Sequence, residues 1–164
     1  MGIRYSDVAT TGWQVESIFN FNKNVASFLL TSESRRWYAI RAYVPPNDAP
    51  YVHRIKQALD EAPKGMDIIL LGDLNIRLRE LRDSREYELA TVLADSRMGD
   101  MTAHFMSRWR YRGTESWMWQ MRREGRQVTG RGDYIIITDR DNVVNAREIE
   151  ARLHTYHQMV LAVI

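Results

Sequence analysis

The chain has 164 residues, of which 45% are hydrophobic and 27% charged, and its formal net charge is +2. These values are typical of a folded soluble domain and argue against a disordered chain or a membrane protein. The small excess of basic residues permits a polyanionic partner without requiring one. The sequence holds no cysteine and its first residues lack the apolar core of a secretory signal. We therefore expect one domain over residues 1–164, in an intracellular compartment and with no membrane partner.

The first part of the chain predicts a β-meander. The segments QVESIF, NVASFLLT and WYAIRAYV are rich in β-branched and aromatic residues and are separated by polar residues. Pro45 and Pro46 end the third strand, because proline cannot donate to a strand ladder. A helix follows through APYVHRIKQALDEA, whose apolar residues have helical spacing. Asn47 or Asp48 is the expected N-cap of this helix.

A buried strand is predicted in MDIILLGDLN, since a continuous apolar run is typical of a strand that is covered on both faces. A second helix is predicted after Asp83, which stands three residues before Glu86 in the spacing of a capping box. It should end near residues 96–99. Two inward-facing sets fit the helical period: Tyr87, Ala90 and Leu93, or Leu89 and Val92.

The last third predicts strands in SWMWQMRR, RGDYIIIT and HQMVLAVI, with REGRQ as a hairpin between the first two. The complete series of elements indicates a single α/β domain in which helices cover the sheets.

Polar side chains stand at one end of three predicted strands. Asp73 and Asn75 follow IILLG, Asp133 precedes YIIIT, and His157 precedes QMVLAVI. If these strand ends meet, the cluster suits hydrolysis of a phosphate ester, with a carboxylate activating water, a histidine steadying the phosphoryl oxygens and Mg²⁺ neutralising charge. The alternative is that each residue is an ordinary turn or capping residue.

Four segments carry a resemblance to a known superfamily. AYVPPND, LLGDLN, RGDYIIIT and YHQMVLAV, in this order, resemble the motifs of the endonuclease/exonuclease/phosphatase superfamily. RRWYAIRAYVPPND, MTAHF and WMWQMRREGRQVTGRGDYII are similar to the endonuclease domain of non-LTR retrotransposon reverse-transcriptase polyproteins. The resemblance extends from about Trp13 to the last residue.

The resemblance implies a two-sheet α/β sandwich and Mg²⁺-dependent cleavage of a DNA phosphodiester. By position, Tyr43 matches the tyrosine that contacts phosphate. Asp73 matches the aspartate that positions or activates the attacking water, and it is the candidate metal ligand, with Asn75 as the amide beside it. Asp133 matches the aspartate that is paired with the catalytic histidine, and His157 matches that histidine.

Three departures from the family pattern bear on activity. The family has an Asn motif and a metal-binding Glu motif well before the tyrosine, and this sequence has no match to either, so the domain reads as incomplete at its N-terminus. Tyr156 stands where the family has an aspartate before the histidine, and Gly132 replaces a more usual apolar residue. We expect activity to be weak or absent. An exposed sheet edge or apolar face then predicts a homodimer.

Arginines alternate with aromatic residues near the predicted hairpin. Arginine recognises phosphate through a bidentate fork, and exposed aromatics stack on unpaired bases, so this segment predicts DNA binding. Alternatively, the tryptophans form a buried strand face and the arginines a solvated one. The candidate contacts are Arg108, Arg110, Arg112, Arg122, Arg123, Arg126, Arg131, Trp117 and Trp119.

Three functions remain open from the sequence. The chain is a metal-dependent endonuclease, or a catalytically inactive nucleic-acid-binding module, or an interaction protein in which the family residues persist as strand-end hydrogen bonders.

Overall fold

The computed structural model describes residues 12–45, 51–76, 78, 81, 83–100, 119–123, 126–130, 132–138, 145–149 and 159–163. These residues form a mixed α/β fold. In chain order its elements are β1 (Gln14–Asn20), β2 (Val25–Thr31), β3 (Arg36–Ala42), α1 (Tyr51–Asp60), β4 (Asp67–Asp73), α2 (Ser84–Asp95), β5 (Gly99–Asp100), β6 (Trp119–Arg123), β7 (Arg126–Gly130), β8 (Asp133–Ile137), β9 (Asn145–Ile149) and β10 (Met159–Val163).

A six-stranded mixed sheet has the order β1-β2-β3-β4-β8-β5. The predicted meander is confirmed, because β1, β2 and β3 pair antiparallel in sequence order. β3 and β4 are parallel, with α1 as their crossover, since a tight turn cannot join parallel strands. β4 pairs antiparallel with β8 on its other side. The apolar run of β4 therefore fits a strand inside the sheet.

The two faces of this sheet carry separate apolar clusters. The larger cluster joins α1 and α2 to alternate residues of the central strands, including Tyr38, Leu70 and Ile136. The smaller cluster contains Trp37 and Ile137, which alternate with the first set along their strands and so belong to the opposite face. The sheet thus has a helix-covered face and an opposite face, and the larger core lies under the helices.

The second helix begins as its sequence predicts. The Asp83 side chain accepts hydrogen bonds from the backbone N–H groups of Arg85 (2.9 Å) and Glu86 (3.0 Å), which makes it the N-cap of α2. Tyr87 is 58% exposed whereas Leu89 is fully buried, so the inward-facing set with Tyr87 is wrong at that residue, although its Leu93 is buried.

Two further differences from the sequence expectations concern strands. β6 pairs antiparallel with β7, and β8 is a separate strand that pairs with β4 instead of β6. β5 and β9 are not predicted from the sequence: β5 has two residues, and NAREI in β9 has one β-branched residue. The predicted caps Asn47 and Asp48 lie outside the described residues. In the described part of the chain, no helix has the length and apolarity needed to cross a membrane.

Candidate active site

The segment LLGDLN ends β4 with a glycine that cannot be replaced without moving the backbone. Gly72 has φ of +140°, and a Cβ built on it would overlap the carbonyl oxygen of Ala42 in β3. Glycine is the residue that tolerates both this φ and so close an approach of two backbones. Gly72 therefore sets how closely the ends of β3 and β4 lie, immediately before the first candidate site residue.

Asp73 and Asn75 form one hydrogen-bonded unit. The Asn75 backbone N–H donates to Asp73 Oδ1 (3.1 Å), and Asn75 Nδ2 donates to Asp73 Oδ2 (3.2 Å) and to the carbonyl oxygen of Val44 (2.7 Å). Asn75 has φ of +46°, in the left-handed region that asparagine tolerates better than most residues. The carboxamide thus fixes the Asp73 carboxylate and ties it to the end of β3.

The strand ladder brings a second carboxylate beside the first. Asp73 lies directly opposite Asp133 in the antiparallel register of β4 and β8. The next pair along, Leu74 and Gly132, is a hydrogen-bonded pair, because the Leu74 N–H donates to the Gly132 carbonyl at 2.6 Å. Pair types alternate, so Asp73 and Asp133 form a non-hydrogen-bonded pair, whose Cα atoms typically lie about 4.5 Å apart. The structure therefore juxtaposes two of the predicted site residues.

Tyr43 lies at the same end of the sheet, one residue past β3. Its neighbour Val44 donates its backbone N–H to the Asp73 carbonyl (2.8 Å), which holds this segment beside β4. Residues 41–44 alternate between exposed and buried, so Arg41 and Tyr43 share the side of β3 that faces away from the helix-covered core. Sequence reasoning missed Arg41. Its two-residue spacing from Tyr43 in a strand was the available signal.

The loop that follows Asn75 is held by a buried tyrosine of β8. The Tyr134 hydroxyl donates to the Ile76 carbonyl (2.8 Å) and accepts from the Leu78 N–H (3.3 Å). Leu74 and Ile76 are buried in the helix-side core, which fixes the loop from its apolar side as well. The polar end of β4 therefore has firm support from two neighbouring strands.

The donor set at this end suits Mg²⁺. Asp73 and Asp133 supply carboxylate oxygens, and Asn75 retains its amide oxygen because its Nδ2 is the hydrogen-bond donor. Mg²⁺ sites commonly use one or two carboxylates together with substrate phosphates and water. Across the described ranges, no three residues of the types His, Cys, Asp and Glu come together as a ready-made metal cage. These residues thus fit an ion whose coordination is completed by substrate.

Two pKa shifts in the described residues have structural causes. A hydrogen bond from the Arg85 side chain lowers the pKa of Asp83 at the start of α2. Burial raises the pKa of the Tyr38 phenol, whose hydroxyl lies 2.6 Å from Ser27 Oγ in the core.

Part of the segment that is predicted to bind DNA lies among the described residues. In the β6–β7 ribbon, Arg123 lies opposite Arg126, Arg122 opposite Gln127, and Trp119 opposite Gly130. The remaining predicted site residues lie outside the described residues: His157, Arg108, Arg110, Arg112, Arg131 and Trp117.

Comparison with solved structures identifies the fold. The endonuclease domain of TRAS1, a telomere-specific non-LTR retrotransposon, matches with a TM-score of 0.68 at 16% identity, over 89% of this chain and 67% of that one. A family protein of the endonuclease/exonuclease/phosphatase type from Leptotrichia buccalis gives 0.61 at 14% identity, over 90% and 60%. The AP endonuclease LMAP from Leishmania major gives 0.59 at 17% identity, over 85% and 54%.

These likenesses establish the fold: the chain has the endonuclease/exonuclease/phosphatase architecture, as its sequence motifs predict. A retrotransposon endonuclease domain is among the structures that share it. The chain spans between 54% and 67% of the length of those three structures. No family model matches the sequence, and no curated protein matches it either.

Proposed function

We propose that the Asp73–Asp133 end of the sheet is a DNA phosphodiester hydrolysis site that uses Mg²⁺ and works slowly in this chain. The observation that supports the proposal is the direct opposition of two carboxylates in neighbouring strands. Like charges in a cross-strand pair destabilise a sheet. Asp73 and Asp133 would hold a divalent cation, which would offset that repulsion and supply the positive charge that phosphoryl transfer requires.

Each residue then has a distinct task. Asp73 positions the attacking water, while the hydrogen bonds from Asn75 keep its carboxylate in place. Tyr43 contacts a phosphate oxygen from the end of β3, and Asp133 orients His157. Mg²⁺, when bound to the carboxylate and amide oxygens, neutralises charge that develops on the phosphate.

Slow turnover follows from the residue beside the histidine. Tyr156 occupies the position of an aspartate in the resembling family. Loss of one preorganised electrostatic group lowers a rate by about 10²- to 10³-fold. We therefore expect nicking of DNA that is detectable over long incubations and strictly dependent on metal.

The test is nicking of supercoiled plasmid in Mg²⁺ or Mn²⁺, with EDTA as the metal-free arm and Asp73→Ala purified in parallel. A matched control is Asp67→Ala, which removes a carboxylate from the first residue of the same strand. Metal-dependent nicking that Asp73→Ala abolishes and Asp67→Ala retains supports the proposal. Equal activity in the native and Asp73→Ala proteins would reject it.

A second candidate function is DNA binding without cleavage, and the β6–β7 ribbon favours it. Arg123 and Arg126 lie directly opposite each other, an arrangement that phosphate binding would compensate. We expect Arg123→Ala to weaken DNA binding and to reduce its salt dependence, because each released counterion contributes to the slope. Lys23→Ala, in the β1–β2 turn, serves as a charge-matched control. Binding that is unchanged by salt would exclude this mode.

Self-association through β1 belongs to the same alternative. β1 is an edge strand of the six-stranded sheet that the described residues form, and its Ile18 and Phe19 side chains are 64% and 52% exposed. An apolar edge strand is a template for pairing with another chain. Light scattering should give the mass of a homodimer at micromolar concentration, and Ile18→Lys should shift it to monomer. A monomeric native protein would contradict this proposal.

A further inference from the structure

We propose that Gly132 is a positioning residue whose missing side chain sets the conformation of the Asp73 carboxylate. This inference rests on the proposed function for its catalytic consequence, whereas its structural part stands separately. It adds to the predicted site a residue that makes no contact with substrate.

The geometry at Gly132 is tight and specific. A Cβ built on Gly132 would lie 2.5 Å from Asp73 Oδ1, and the next atoms it would meet are Asp73 Cγ at 3.5 Å and the Asn75 backbone nitrogen at 3.6 Å. The one severe conflict is therefore with the carboxylate oxygen that accepts the Asn75 N–H. A side chain at position 132 and the observed Asp73 conformation exclude each other.

Hydrogen bonds hold the two backbones together and oppose a shift that would relieve this conflict. The Leu74 N–H donates to the Gly132 carbonyl at 2.6 Å, and the Val44 N–H donates to the Asp73 carbonyl at 2.8 Å. Gly132 is also buried. Its φ lies outside the positive region where glycine is favoured for conformational reasons. Alanine can therefore adopt the backbone conformation of Gly132, and its methyl group tests the steric contact with Asp73 alone.

Gly132→Ala should rotate the Asp73 carboxylate away from the Asn75 N–H. Misplacement of a reacting group by about 1 Å lowers a rate by about 10²-fold. We expect a loss of that size in kcat for metal-dependent nicking, with little change in KM, since residues that contact the DNA backbone remain in place.

A double-mutant cycle in urea unfolding tests the structural part without any activity. Gly132→Ala should lower the urea midpoint of the native protein. In the Asp73→Ala background the conflicting oxygen is gone, so the same substitution should leave the midpoint unchanged. Should Gly132→Ala alone fail to fold, recovery of a cooperative transition in the double variant gives the same information.

The outcomes separate the two proposals. Equal midpoint losses in both backgrounds would overturn the positioning role, as would full nicking activity in a folded Gly132→Ala protein. Coupling in the cycle together with loss of nicking supports it. If the native protein itself does not nick DNA, the proposed function fails, and the cycle alone decides whether Gly132 sets the Asp73 conformation.

Discussion

The β4–β8 ladder has two ends that are built in different ways. At one end Thr138 closes the pair: its N–H donates to the Ile68 carbonyl (3.1 Å), and its Oγ1 accepts the Ile68 N–H (2.9 Å). At the other end two aspartates oppose each other, and a glycine adjoins each of them along the chain. At the first end the Thr138 hydroxyl and N–H complete the backbone hydrogen bonds of Ile68. At the second end two carboxylates lie opposite each other.

The difference between the two ends distinguishes groups that strand pairing requires from groups that only a binding site requires. Thr138 shows that this ladder can end with neutral groups that satisfy the backbone. Strand pairing itself does not require opposed carboxylates at the other end. We infer that the carboxylate end serves binding, and the following substitutions test the contrast between the two ends.

The largest effect is expected from Gly72→Ala. Its Cβ would overlap the Ala42 carbonyl, which is backbone and cannot rotate away, and its φ of +140° strains any residue with a side chain. Overpacking of this kind should lower the free energy of unfolding by about 3 kcal/mol or more. Urea denaturation followed by circular dichroism measures the loss. A stability within experimental error of the native protein would show that β3 and β4 are farther apart.

At the end of the ladder closed by Thr138, Thr138→Val removes the oxygen that accepts the Ile68 N–H. Leaving a partly buried donor without its partner should cost about 1–3 kcal/mol in the free energy of unfolding. Nicking activity of the folded protein should stay at the native level, because the substitution lies at the opposite end of the ladder. If a fully folded Thr138→Val protein nicked DNA more slowly than the native protein, the two ends of the ladder would not be independent.

At the carboxylate end, Asp133→Asn tests metal binding. The substitution keeps the shape of the side chain and removes one of the two opposed charges. Because Mg²⁺ prefers carboxylate oxygens, it should raise the Tm of the native protein and leave the Tm of the variant nearly unchanged. An equal rise in Tm for both proteins would show that Asp133 takes no part in metal binding.

The smallest effect concerns the Asp83 carboxylate, which lies in a helix cap. Asp83 caps α2, and the Arg85 side chain lowers its pKa in the folded state. A lowered folded pKa contributes stability above the ordinary aspartate pKa and loses it as the pH falls through the folded value. Asp83→Asn keeps a capping side chain without the charge. It should be slightly less stable than the native protein at neutral pH, and the difference should vanish in acid, as thermal unfolding at both pH values would show.

Sequence patterns predicted those parts of the fold that local chemistry controls. The Asp83 cap, the meander and a strand at β4 follow from capping, alternation and apolar runs, and all are confirmed. The expected cover on both faces of β4 is not, because Leu70 is the one buried residue of this strand and the others are half-buried. β8 was identified as a strand, yet its partner was not, because pairing between distant strands depends on the packing of the whole sheet.

The candidate site shows the same division. The sequence indicated Asp73 and Asp133 separately, and the family resemblance suggested that they act together, but their direct opposition depends on register. Gly132 looked like a departure from the family pattern, and its steric relation to Asp73 could be recognised only in three dimensions. Arg41 is two residues from Tyr43, but exposed arginines are common in strands, and the sequence does not single this one out.

The parallel β3–α1–β4 unit comes from one continuous stretch of chain, whereas β8 joins β4 across 60 positions (133 minus 73). Contacts between distant segments cost more loop-closure entropy and tend to form after local ones. A partly folded chain can thus carry Asp73 on a formed strand while Asp133 is still elsewhere. The carboxylate pair therefore forms only when β4 and β8 have paired, and this is the most distant strand pairing among the described residues.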